Sequence, residues 1–75
     1  MDTEIRNRVR ALRFAAGEMT QEELARRAGV SRQTIIAIEK GKYNPSVGLA
    51  LRIARVFGVP VDEVFSLGDE DGHGA

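Results

Sequence analysis

Cysteine and tryptophan are absent, histidine and tyrosine occur once each, and two prolines serve the whole 75-residue chain. Without thiols there is no disulfide framework and no thiolate metal site, which suits a reducing cytoplasm. No apolar run approaches the roughly eighteen residues that span a bilayer, and the opening MDTEIRNRVR has no signal-type apolar core, so a soluble cytoplasmic protein is expected. The lone His73 sits in LGDEDGHGA, outside any periodic stretch, and nothing has the spacing of a Ser-His-Asp set, a metal site or a nucleotide loop. Neither an enzyme, a cofactor, a bound metal nor a small-molecule ligand is expected. Net charge is also lacking, since the formal total is zero, but its distribution matters more. Setting aside Asp69, Glu70 and Asp71 leaves +3 on the rest, a mild basic excess compatible with an anionic partner.

What is present is a short series of amphipathic segments with clear stops. Ile5, Val9, Leu12 and Ala16 fall on one helical face, which predicts a first helix capped near Asp2 or Thr3 and stopped at Gly17. Thr20 with Glu23 three residues later makes a capping box, and Leu24, Ala25 and Ala28 follow as a narrow apolar stripe closed by Gly29. Ser31 caps a third helix with Ile35 and Ile38 inward and Gly41 as its stop. A polar turn, GKYNPS, leads to a fourth helix from Ser46 to about Phe57, with Val47, Ala50, Ile53, Ala54 and Phe57 on one face and Gly58 at its end. Pro60 opens a last short helix over 61–66, with Val64 and Phe65 inward, and Asp62 and Glu63 complement its dipole. No strand signal is legible. The expected fold is all-α, five helices around one core in residues 1–67, with residues 68–75 as a disordered acidic Gly-rich tail.

Residues 20–41, TQEELARRAGVSRQTIIAIEKG, organise this bundle. Two short helices joined by a three-residue turn, with small Ala25 at the crossing, are the helix-turn-helix geometry, whose second helix enters a DNA major groove. On the face opposite Ile35 and Ile38 lie Gln33, Ile36, Ala37 and Lys40, with Arg32 beside them. Arg32 suits a bidentate pair to guanine and Gln33 to adenine, while Ile36 and Ala37 suit thymine methyls. Lys40, Gln21 at the start of the second helix, and Lys42, Tyr43 and Asn44 after the third are candidates for phosphate.

Read together, TQEELARRAGVSRQTIIAIEKGKYNPS and its flanks over about residues 4–67 resemble the Cro/repressor-type, or Xre-like, helix-turn-helix regulators. The resemblance implies a five-helix bundle that binds operator DNA as a dimer on two half-sites. It implies base readers at Arg32, Gln33 and Ala37, a phosphate contact at Gln21, and a structural ion pair between Arg13 and Glu39. The chain departs from the family pattern in a first connection, GEMT, that is one residue longer than the commonest, and in Ala37 where many relatives place a polar reader. The expected protein is therefore a homodimeric repressor on double-stranded DNA. The rival is a protein-interaction module or antitoxin-type partner using the same bundle, since Leu49, Leu51, Val59 and Leu67 exceed what one small core needs; the homodimer accounts for them too.

Overall fold

The computed structural model describes residues 4–68 and runs β1 (Ile5–Asn7), α1 (Val9–Ala15), α2 (Gln21–Ala28), α3 (Arg32–Glu39), α4 (Val47–Phe57), a 3-10 turn (Val61–Glu63) and β2 (Phe65–Leu67). The helices begin where a hydroxyl can satisfy an otherwise unpaired N–H group. Thr20 Oγ1 accepts from Glu23 N at 3.0 Å, Ser31 Oγ from Thr34 N at 3.2 Å and Ser46 Oγ from Leu49 N at 3.1 Å. The capping box around Thr20 is only half formed. The Glu23 carboxylate turns instead to Arg26 and Arg27, each at 2.6 Å, and these hydrogen bonds hold its carboxyl below the ordinary value.

Leu24, Ala25 and Ala28 of α2 meet Ile35 and Ile38 of α3 in a core completed by Val9, Leu49, Ile53, Ala54 and Val64. Leu24, Ala28, Ile35 and Ile53 lose all contact with solvent, and burying each large aliphatic side chain is worth about 1.5–3 kcal/mol. The face that α4 turns inward is the expected one at Ile53, Ala54 and Phe57, with Ala50 half-buried, but it differs in the first turn of the helix. There Leu49 is buried and Val47 is 77% exposed, so that Leu49 with Ile53 and Ala54 makes the buried stripe. Arg52 Nε reaches across to the Ala28 carbonyl at 3.0 Å and so satisfies an acceptor at the end of α2.

Two expected helical turns are strand. Residues 5–7 pair antiparallel with 65–67, Ile5 opposite Leu67, Arg6 opposite Ser66 and Asn7 opposite Phe65, so α1 starts only at Val9 and the fifth helix is reduced to the 3-10 turn. Among the described residues the fold thus has four α-helices and a two-stranded sheet in place of five helices. The reason is tertiary: each strand is three residues long, too short for alternation to show, and each finds its backbone partners only on the other. Asn7 makes the junction. Its Oδ1 accepts from Val9 N at 3.0 Å at the start of α1, and its Nδ2 donates to the Ile38 carbonyl at 2.9 Å near the end of α3. Gly68 N donates to Glu4 O at 2.6 Å, which extends the pairing past the expected boundary at residue 67. The expected cap at Asp2 or Thr3 and the rest of the expected acidic tail lie outside the described residues.

The long first connection is absorbed at the end of α1. Gly17 and Glu18 both adopt left-handed backbone, with φ of 80° and 60°, while Glu18 N donates to Phe14 O at 3.0 Å and Met19 N to Arg13 O at 2.8 Å. A side chain with a Cβ is strained at such a φ, and asparagine tolerates it better than glutamate. Glu18→Asn is expected to raise stability by about 0.5 to 1 kcal/mol, read as a higher denaturant midpoint at unchanged slope. An unchanged or lower midpoint would show that the conformation carries no recoverable strain.

Candidate nucleic-acid interface

The angle between α2 and α3 is set at Gly29, whose φ of 77° allows Gly29 N to reach Arg26 O and Ala25 O while Val30 N closes onto Ala25 O at 3.0 Å. This closes α2 with a left-handed glycine stop and releases the chain into the Ser31 cap within one short turn. Ala25, 4% exposed, offers no bulk to hold the helices apart. The two helices are then locked from the outside by a buried polar cluster. Arg13 of α1 donates from Nε to Glu39 Oε2 at 2.6 Å and from Nη2 to Glu39 Oε1 at 3.1 Å, with the two side chains 8% and 9% exposed. Arg13 Nη1 holds the Met19 carbonyl at 2.8 Å, and Gln21 Nε2 donates to Glu39 Oε1 at 3.1 Å. One carboxylate at the end of α3 thereby fixes the end of α1, the connection after it and the first residue of α2.

This geometry leaves α3 with an outward face. Arg32, Gln33 and Lys40 are exposed, and Ile36 and Ala37 are half-buried along the same side. The side chains of Arg32, Gln33 and Lys40 make no hydrogen bond or ion pair among the described residues. Two open grooves border the face. The first, about 360 Å³, is lined by Arg10, Arg13, Phe14, Gln21, Ile36, Glu39 and Lys40. The second, about 440 Å³, continues over Arg13, Thr20, Gln21, Glu22 and Arg32. Beyond α3, Gly41 takes a φ of 74° and Lys42 N returns to Ala37 O at 2.9 Å, so Lys42, Tyr43 and Asn44 leave the helix end exposed to solvent.

The expected readers and positioners are therefore adjacent to one another along α3, its following loop and the start of α2. Gln21 differs from its expected part in one respect: its amide is already engaged with Glu39, so it belongs to the buried cluster as well as to the groove. Arg10 and Phe14 join the groove from α1; neither is among the expected site residues, although Arg10 stands out with Arg13 from the basic face of that helix in the sequence. As a pair, their signal was two non-core positions one turn apart. Charge is partitioned in the same way. Arg13 is neutralised by Glu39, and Arg26 and Arg27 share Glu23, whereas Arg10, Arg32 and Lys40 have no carboxylate partner among the described residues.

A helix-turn-helix with its second helix presented outward between cation-lined grooves defines a DNA-binding class of protein. The chain belongs to the Helix-turn-helix family, whose profile matches residues 9–64, within the Xre-like group of transcriptional regulators. It is 52% identical over 67 residues to an HTH-type transcriptional regulator of Archaeoglobus fulgidus, covering 89% of this chain and 94% of that one. It is 35% identical over 60 residues to the cryptic phage CTXphi transcriptional repressor RstR of Vibrio cholerae, covering 80% of this chain and 53% of the repressor. Among solved structures, the restriction-modification controller protein C.AhdI of Aeromonas hydrophila superposes with a TM-score of 0.69 at 34% identity. That match covers 75% of this chain and 83% of the controller. Among the described residues no helix is long and apolar enough to cross a membrane, and no group of three His, Cys, Asp or Glu could hold a metal.

Proposed function

We propose that this chain is a sequence-specific transcriptional repressor that binds a pseudo-palindromic operator as a homodimer, one α3 in the major groove of each half-site. The observation that carries the reading is the outward face of α3, where Arg32 and Gln33 are exposed with every side-chain donor uncommitted. Arg32 pairs with guanine, Gln33 with adenine, and half-buried Ile36 and Ala37 meet thymine methyls; Gln21, Lys40, Lys42, Tyr43 and Asn44 hold the phosphates on either side. The repressor sense is supported by the likeness to RstR.

The homodimer is supported by apolar surface that the fold leaves uncovered. Of the four residues expected to be in excess, Leu49 is in the core and Val59 packs against it. Leu51 and Leu67 remain 51% and 40% exposed, and Val47, one turn before Leu51 on α4, joins them. Next to them an apolar groove of about 240 Å³ is lined by Ile5, Asn44, Pro45, Val47, Ala50 and Phe65. A second copy on this surface would double the contacts of a domain too small to bind tightly alone. It also accounts for the surface that would otherwise favour a partner-docking module.

Selection of bound sequences from a random duplex pool tests the reading, with an inverted repeat as the expected product; a pool without any enriched motif would sink it. Sedimentation tests the dimer: the chain should sediment as a dimer at micromolar concentration and Leu51→Asp as a monomer that has lost affinity for the two-half-site duplex. A monomer in both cases, with and without that duplex, removes the homodimer from the proposal.

A further inference from the structure

Phe14 is 51% exposed on α1, and two guanidinium groups lie near its ring, Arg10 Cζ at 5.3 Å and Arg13 Cζ at 5.4 Å from the centroid. The two cations are not equivalent. Arg13 gives its charge to Glu39 at 2.6 Å, whereas Arg10 has no hydrogen bond or ion pair among the described residues and is held only by the ring. An unneutralised guanidinium parked on an exposed aromatic is already restricted in its rotamers, so it loses less freedom when it engages an anion. Its position selects the anion. Arg10 and Phe14 form one wall of the groove whose opposite wall is Ile36 and Lys40 of α3. A duplex with α3 in its major groove must carry one phosphate strand past the rim of that groove.

We propose that Arg10 is a further phosphate-contacting residue, with Phe14 as the platform that aims it, so that α1 anchors the duplex alongside the start of α2 and the 41–44 loop. The proposal rests on the DNA-binding reading above. A guanidinium binds a phosphate through two parallel N–H donors, and a side chain that neutralises one phosphate adds about 0.9 to the slope of log affinity against log salt. The contact carries no sequence information. It raises affinity for every duplex alike and leaves the discrimination made by α3 untouched.

The test uses the full chain and its Arg10→Ala, Arg10→Lys, Phe14→Tyr and Phe14→Leu variants, titrated with the selected duplex and a scrambled one over a range of salt. Arg10→Ala should weaken both duplexes by about tenfold for each bound copy near 0.1 M salt and flatten the slope by about 1.8 for the dimer, ~0.9 from each copy, with the ratio between duplexes unchanged. Arg10→Lys should keep the slope, Phe14→Tyr should keep the affinity, and Phe14→Leu should weaken both duplexes several-fold. Since both side chains are exposed, thermal melts of all four variants should overlay the parent, which separates binding from folding. If the parent binds its selected motif and Arg10→Ala matches it in affinity and slope, this proposal is overturned and the DNA-binding reading stands. If Phe14→Leu equals the parent, the platform is overturned. A parent that binds no duplex removes the reading on which both rest.

Discussion

Arg13→Ala is expected to cost about 3–5 kcal/mol of folding stability, because it leaves the Glu39 carboxylate buried with only Gln21 to solvate it. The magnitude follows from burial. An exposed pair of the same length is worth no more than about 1 kcal/mol, but here both side chains are more than nine-tenths covered and the bond is bidentate. A chain of 75 residues has roughly 4–11 kcal/mol in total, so the variant should be partly unfolded near 37 °C. Its melting point should fall by more than about 12 °C. The double replacement Arg13→Met with Glu39→Leu removes both charges and should recover much of the loss, since a desolvated pair contributes little net stability against apolar groups of similar size. Denaturant titration of the two single variants and the double variant checks this as a thermodynamic cycle. A loss below about 1 kcal/mol for Arg13→Ala would mean that the pair behaves as a surface pair and does not lock α1 to α3.

Arg32→Ala and Lys42→Ala should separate reading from positioning. Arg32 stands in the first turn of α3, where a bidentate contact to guanine discriminates by about 1–3 kcal/mol, so its removal should relax preference at one base pair of each half-site by about tenfold or more. Lys42 follows the Gly41 turn outside the helix, and its loss should weaken all sequences alike and flatten the salt slope by about 0.9 for each copy of the chain, ~1.8 for the dimer. Affinities over a panel of single-base operator variants at two salt concentrations read both effects. Identical behaviour of the two variants across the panel would show that Arg32 is a positioner and that sequence is read elsewhere on α3.

The legible parts of this molecule are those whose information is local. Thr20, Ser31 and Ser46 cap helices because a hydroxyl reaches an N–H two or three residues ahead, and Gly29, Gly41 and Gly58 end them because they take positive φ readily. The α2 and α3 stripes were legible for the same reason, each covering two turns of one face. Over residues 5–7 and 61–67 the local signal misled. Ile5 four residues before Val9 fits a helix and a strand equally, and Val64 with Phe65 reads as a helical face until Ile5–Asn7 arrives beside Phe65–Leu67. On α4 Ile53, Ala54 and Phe57 were legible, but in the first turn periodicity leaves Val47 and Leu49 both open, and packing into the core cluster chooses Leu49.

By itself, then, the amino-acid sequence determined the helix-turn-helix, its caps and stops, and which side chains of α3 face away from Ile35 and Ile38. All of these depend on separations of a few residues along one chain. The tertiary structure alone decided that the two ends of the described chain form a sheet. It also decided that Asn7 bridges the start of α1 to α3, and that Arg10 and Phe14 stand across a groove from Ile36 and Lys40. Those facts depend on residues more than twenty positions apart meeting in space, and pairing over such separations is set by packing against a common core, for which no period in the sequence exists.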